Sequence, residues 1–516
     1  MTTKVIINRL STGVPGLDDV LGGGLPEFSF NLIAGQPGCG KTTLAHQIMF
    51  ALATPERPAL YFTVLGEPPL KMLRYQQQFD FFDNEALNTS IRFISLSEDA
   101  MAGDLDRVLR RIVEEVTTYN PGLVFVDSFR SVILASESAN HAPTAHNTLQ
   151  QFVQQLGMLM TSWQATTFLL GEYFVENDAN PVFTVADGLI WLRQSVLRNS
   201  MVRKMEIMKM RGQPTLPGLH TFRIDNDGVR VFAPPIARPN TWPIAGLAPA
   251  ADGVAATEAN ALPQRALTGV PALDDMLGGG LPRGYSLLVA GPSGSGKSIL
   301  AATFLAEGAR VGETGVIAVF EQHPNRSRSR VTADLIAAGT VGVVDSRAPD
   351  LSIDEIIVRL LDEIHRLGAT RAVIDSLSGF ELSVAPTFRE DFRESLSRLV
   401  KAMTDVGVTV LMTSELEDRY TDLRFSPYGT AFMTDAIIVQ RYIEVDSRLR
   451  RVMAVVKVRA SAHSDELREY TIGDGGIVVG GSLADHEGLL GGRPTRERAL
   501  PHPASNGVHN AAETAR

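Results

Sequence analysis

Thr12-Gly-Val-Pro-Gly-Leu-Asp-Asp-Val-Leu-Gly-Gly-Gly-Leu-Pro26 returns 256 positions later as Thr268-Gly-Val-Pro-Ala-Leu-Asp-Asp-Met-Leu-Gly-Gly-Gly-Leu-Pro282. At the same shift, Gly35-Gln-Pro-Gly-Cys-Gly-Lys41-Thr42 returns as Gly291-Pro-Ser-Gly-Ser-Gly-Lys297-Ser298. A repeat of this length and register means one structural unit used twice. Both second motifs fit G-x-x-x-x-G-K-[ST], and each sits between an apolar strand-like run and a helical pattern, the context in which the motif is specific. The glycines let successive backbone N–H groups close on an anion at a helix N-terminus, where the helix dipole adds to the attraction. In the first copy the cradle comprises Gly35, Gly38, Cys39, Gly40, Lys41, Thr42 and Thr43. In the second it comprises Gly291, Ser293, Gly294, Ser295, Gly296, Lys297, Ser298 and Ile299. Lys41 and Lys297 are positioned to reach the β- and γ-phosphates of a nucleotide, and Thr42 and Ser298 to ligate Mg²⁺.

Outward from these loops, apolar β-rich runs alternate with longer helical patterns. FSFNLIA, ALYFTV, IRFISL, GLVFVD and ATTFLLG read as buried strands, and LDRVLRRIVEEVTTY and the stretch from His146 to Trp163 as helices. The fold class is therefore α/β, two tandem domains, each a mostly parallel sheet with helices on both faces. The runs GLIWLRQ, MVRKMEIMKM, LHTFRI and GVRVF after Asp187 are expected to complete the first sheet as antiparallel strands. The division is 1–233 for the first domain, 234–264 for a Pro- and Ala-rich linker, 265–484 for the second domain, and 485–516 for a disordered tail.

Asp127, ending GLVFVD, and Asp375, ending RAVID, are the acidic strand tips expected beside the P-loop strand, where they would hold Mg²⁺ through water. Hydrolysis also needs a carboxylate to orient the attacking water. Here the copies differ. The second has Glu321-Gln322 after VIAVF, whereas the equivalent positions after YFTV are Leu65-Gly66, with Glu67 displaced into the next turn. The first domain is thus expected to bind nucleotide and hydrolyse it slowly, the second to be the main hydrolytic site. Lys209-Met210-Arg211 and Lys457-Val458-Arg459 place two cations at i, i+2 on one strand face, suited to a γ-phosphate supplied by a neighbouring subunit.

Composition narrows the classes. With 44% hydrophobic and 21% charged residues, the chain has ordinary globular composition. No apolar run approaches the about 20 residues that span a bilayer. The first residues carry no secretory pattern, and Cys39 is the only cysteine, so no intrachain disulfide is possible and a cytoplasmic setting is expected. A net charge of −10 disfavours non-specific binding to nucleic acid.

Taken together, the L-D-D-x-L-G-G-G-L-P segment, the P-loop, Val-Asp-Ser or Ile-Asp-Ser and the K-x-R strand resemble the KaiC family, over nearly the whole chain. The resemblance implies RecA-like P-loop domains, ATP with Mg²⁺, and a homo-oligomer, in that family a double-ringed hexamer with ATP between subunits. It implies that Arg451, Lys457, Arg459, Ser461 and His463, like Lys209, Met210 and Arg211, touch the nucleotide of the neighbouring subunit. There are departures too. The family's paired catalytic glutamates are Leu65-Gly66 and Glu321-Gln322 here, and the Ser-Thr pair that clock-type members phosphorylate is Ala431-Phe432, leaving Ser426, Thr430 or Thr434 as substitute acceptors. The leading expectation is an ATP-hydrolysing switch acting on an unknown signalling partner. A Ser/Thr protein kinase using the second domain and a RecA-like DNA-dependent ATPase are the alternatives.

Overall fold

The computed structural model describes residues 7–64, 69–101, 105–128, 145–173, 181–197, 200–234, 265–320, 329–345, 351–384, 392–416, 432–445, 447–473, 475–482, 486–487 and 495–496. The chain divides into two compact units, each holding one nine-stranded sheet.

In the first unit the strands are β1 (Phe30–Gly35), β2 (Ala59–Thr63), β3 (Ile91–Ser95), β4 (Leu123–Asp127), β5 (Thr166–Glu172), β6 (Gly188–Leu197), β7 (Ser200–Met210), β8 (His220–Asp225) and β9 (Gly228–Phe232). They lie in the order β9-β8-β7-β6-β1-β5-β4-β2-β3. The six from β3 to β6 run parallel and the last three alternate in direction. Gly188–Leu197, expected as one of four antiparallel strands, departs from that expectation on one side, where it pairs parallel to β1. Its return partner β7 makes the first antiparallel ladder.

The apolar runs are continuous because both faces of the parallel strands are covered. Phe30, Leu32 and Ala34 belong to one core and Ile33 to the other, the two-residue alternation of a strand. Helix α1 (Lys41–Leu52) covers one face through Leu44, Ala45 and Ile48. Helix α2 (Leu105–Tyr119) covers the other through Val108, Ile112 and Val116, and α3 (Ala145–Ser162) joins it through Phe152, Val153 and Leu156.

The second unit repeats this order with β10 (Ser286–Gly291), α4 (Lys297–Arg310), β11 (Gly315–Val319), β12 (Val341–Asp345), β13 (Arg371–Asp375), β14 (Thr409–Glu415), β15 (Ala436–Val445), β16 (Arg448–Val458), β17 (Arg468–Gly473) and β18 (Gly476–Ser482). The sheet reads β12-β11-β13-β14-β10-β15-β16-β17-β18, the first order strand for strand. Two tandem RecA-like α/β domains are therefore present. Linker residues 235–264 lie outside the described residues. Within 485–516, a short ladder pairs His486–Glu487 with Thr495–Arg496.

One side chain in the first core carries a pH signature. His46, on α1, is fully buried, with its ring edge-on to Tyr61 at a centroid separation of 4.7 Å. Burial pushes its pKa down to about 4. The folded chain therefore keeps the ring neutral while the unfolded chain protonates it below about 6.5, so stability falls as pH drops from 6.5 towards 4. Trp163 and Trp191 lie in the first unit and the second copy has no tryptophan, so a change in tryptophan fluorescence on unfolding follows the first unit through these two residues. Urea unfolding so followed should show about 2 kcal/mol less stability at pH 5 than at pH 7, with much of that difference removed by His46→Leu.

Candidate functional site

Each P-loop leaves the C-terminal end of a strand flanked on both sides by parallel neighbours and turns into a helix through a glycine in the left-handed region. Gly40 (φ 105°) and Gly296 (φ 97°) cap α1 and α4. The backbone conformation favours glycine at both positions, and a Cβ there would also lie 2.5 Å from Ile224 Cδ1 or 2.7 Å from Ile472 Cδ1, displacing the end of that side chain.

The lysines that follow are nearly buried. Lys41 Nζ donates to the carbonyls of Gly35 (3.1 Å) and Gln36 (2.9 Å), and Lys297 Nζ to those of Gly291 and Pro292 (both 2.8 Å). Burial pulls the Lys297 pKa down, and Glu415 and Asp375 push it back up. In the first copy, Thr42 Oγ1 donates to Asp127 Oδ2 at 2.9 Å. These groups face a cavity of about 330 Å³ lined also by Gly38, Gly40 and Glu172. Basic, hydroxyl and carboxylate groups around a concave helix N-terminus are the donor set of a phosphate site, and the paired hydroxyl and carboxylate oxygens suit a hard cation such as Mg²⁺. Thr42 and Asp127, with Ser298 and Asp375, are the residues that would hold that ion.

A family model for the KaiC ATPase matches residues 10–236 and 266–484, covering both sheets and both loops. This chain belongs to the KaiC ATPase family. It is similar to the circadian clock oscillator protein KaiC of Picosynechococcus sp. (strain ATCC 27264 / PCC 7002 / PR-6), with 26% identity over 95% of this chain and 93% of the relative. It is likewise similar to the KaiC of Rippkaea orientalis, with 25% identity over 95% and 92%, and to KaiC 1 of Synechocystis sp., with 24% identity over 95% and 92%. ATP binding follows from the family. Among the described residues no helix is long and apolar enough to cross a membrane.

Within this KaiC frame the aspartates do not sit where expected. Asp127 and Asp375 end β4 and β13, and these strands do not adjoin the P-loop strands: β5 and β14 intervene. The intervening strands end in Glu172 and Glu415, in register with Gly35 and Gly291. Sequence reasoning passed over both glutamates because strand order is not readable from spacing. Their signal was the matching strand ends TTFLLGE and TVLMTSE.

The aspartates are also held differently. Asp127 Oδ2 accepts a second hydrogen bond from Tyr61 OH on β2 (2.8 Å), and Asp375 Oδ1 accepts one from Thr413 Oγ1 on β14 (2.5 Å). Ile317 stands where Tyr61 would be in the second copy, and Leu170 where Thr413 would be in the first. Burial raises the Asp127 pKa, opposed by its hydrogen bonds to Tyr61 and Thr42.

The K-x-R strands lie elsewhere. Met210 pairs with Gly188, which pairs with Asn31 at the start of β1; Val458 pairs with Ala436, which pairs with Leu287 at the start of β10. Four residues separate these rows from Gly35 and Gly291, about 13 Å at the rise of a strand. Each K-x-R segment thus occupies the edge of the sheet opposite its own P-loop. A bulge directly precedes each lysine, at Met208 and Val456, and such bulges re-aim the side chains that follow. Lys209 Nζ donates to Thr184 O and Arg211 pairs with Asp187; Lys457 Nζ donates to Thr434 O and Arg459 pairs with Asp435. Ser461 and His463 follow in the turn after β16.

Arg451 is not with them. It lies over the ring of Tyr442, whose hydroxyl donates to Ser293 O in the P-loop of the same copy. Cys39 is buried, and burial raises its thiol pKa, which keeps it protonated. Leu65, Gly66, Glu67, Glu321, Gln322, Ser426, Thr430 and Ala431 lie outside the described residues. Thr434 is fully buried, which disfavours it as a phosphate acceptor.

Removing the Tyr61 hydroxyl leaves a half-buried carboxylate oxygen short of a donor. Tyr61→Phe should lower first-unit stability at pH 7 by about 1.5–3 kcal/mol, the range for a hydrogen bond to a charged group. Tryptophan-monitored urea unfolding measures it. A loss under about 0.5 kcal/mol would mean the bond contributes little.

Proposed function

We propose that the chain is an ATP-hydrolysing, homo-oligomeric switch of the cytoplasm whose rings, hexameric by family resemblance, change with nucleotide state and act on a signalling protein. Its ATPase domains span 1–233 and 265–484. The observation that carries this reading is the separation of each K-x-R pair from its own P-loop. A cation pair on the opposite edge of the sheet meets a γ-phosphate only when another subunit brings one, so the site is complete only in an assembly. Lys41 and Lys297 would take the phosphates, Thr42, Asp127, Ser298 and Asp375 the Mg²⁺, and Lys209, Arg211, Lys457 and Arg459 the developing phosphoryl charge in trans. Arg451 would serve the nucleotide of its own copy. Glu321, absent from the equivalent Leu65-Gly66, makes the second copy the main hydrolytic site.

Glu321→Gln should cut phosphate release by about 10²-fold or more, the contribution of a positioned general base; unchanged turnover removes Glu321 from the mechanism. Intact mass after incubation with ATP should show no added phosphate, whereas a gain of one would favour the kinase reading. Gel filtration of Lys41→Ala with ATP should show a smaller assembly than the wild-type chain, if the first copy clamps the ring.

A further inference from the structure

We propose that Glu172 orients the attacking water in the first copy, so that slow hydrolysis there proceeds without a carboxylate at Leu65-Gly66. This rests on the ATP-hydrolysing reading above. Glu172 ends β5, the strand beside the P-loop strand, opposite Gly35, the first residue of the loop. It lines the same cavity as Lys41, Thr42 and Asp127. In the other carboxylate of that cavity one oxygen is already engaged: Asp127 Oδ2 accepts from both Thr42 and Tyr61. Glu172 is partly exposed, and among the described residues its side chain makes no hydrogen bond or ion pair. Its charge reaches Asp127, whose pKa it helps to raise.

The second copy repeats the arrangement. Glu415 is in register with Gly291, and its charge is felt by Lys297. The copies have diverged at 65–66 against 321–322 and in the hydroxyl that holds the aspartate, yet both carry this glutamate at the same strand tip. A carboxylate lining a phosphate cavity beside a buried lysine costs affinity for ATP, because it repels the γ-phosphate. Its presence in both copies is explained by a role in the reaction. The water oxygen forms the new bond to the γ-phosphorus while Glu172 accepts its hydrogen bond. The bond from that phosphorus to the β,γ-bridging oxygen breaks, and ADP leaves with the electron pair. The products are ADP, inorganic phosphate and a proton.

The test uses the full chain carrying Lys297→Ala, which silences the second copy. Adding Glu172→Gln should lower phosphate release by about 10²-fold. It should also raise the preference for labelled ATP over labelled ADP by about fivefold, since a negative charge facing the γ-phosphate has been removed. Glu172→Asp, which keeps the charge, should slow release and hold the ATP-to-ADP preference at its starting value; a structural role would not produce that split. Unchanged release in Glu172→Gln, or an unchanged preference, overturns the proposal. So does a Lys297→Ala chain that releases no phosphate while the wild type does. A wild-type chain that releases none overturns the hydrolytic reading as well, which separates the two failures.

Discussion

Two buried ammonium groups organise this molecule. An unpaired buried charge is costly, and Lys41 and Lys297 are satisfied by carbonyls of the loops that precede them. For those carbonyls to converge, each loop must curl over its lysine and the next helix must start at a glycine in the left-handed region. The strand before the loop must therefore lie among the parallel strands, so that Thr42 at the start of the helix reaches Asp127 two strands away. Both units meet these demands with the same strand order, so duplication copied a whole geometric solution.

Where the copies differ, the differences compensate. An aspartate at a strand tip needs its carboxylate fixed, and a hydroxyl from a flanking strand can do this from either side. The first copy uses Tyr61 on β2 and has Leu170 on the other flank; the second uses Thr413 on β14 and has Ile317 opposite. Phe222 and Tyr470, at equivalent positions, show similar freedom: the tyrosine hydroxyl donates to Ser295 O in the loop, a bond the phenylalanine cannot make. The phosphate cradle is held to one design, and its supports have drifted.

Much of this was legible beforehand. The repeat, the two P-loops and the α/β rhythm are local patterns with strong physical reasons behind them, and the i, i+2 spacing of the K-x-R segments matches their burial: Met210 and Val458 point inward while the cations on either side are more exposed. What escaped reading was lateral. Sequence spacing gives strands in chain order, whereas a site is built from strands in sheet order. That is why Asp127 was expected next to the P-loop strand when β5 lies between them, and why Glu172 went unnoticed. Tyr61 and Thr413 sit inside apolar runs without a counterpart in the other copy, so neither motif nor repeat could mark them. Arg451 was grouped with Lys457 through resemblance, but six residues of extended strand put it towards the other end of the sheet.

That lateral view also explains how hydrolysis and assembly can be linked without a moving part inside one subunit. Parallel strands end together, so phosphate loops, aspartates and glutamates collect on one edge. An antiparallel strand reverses direction, so β7 and β16 carry their cations back to the other edge. In the proposed switch these two edges belong to a single reaction, and a lone subunit holds only half of it. Neighbours in a ring then join each cation edge to a phosphate edge. Losing the γ-phosphate removes the charge on which Lys209, Arg211, Lys457 and Arg459 would converge, so the nucleotide state is felt at the subunit interface. Within that proposal, sheet topology would supply the coupling, once for each copy.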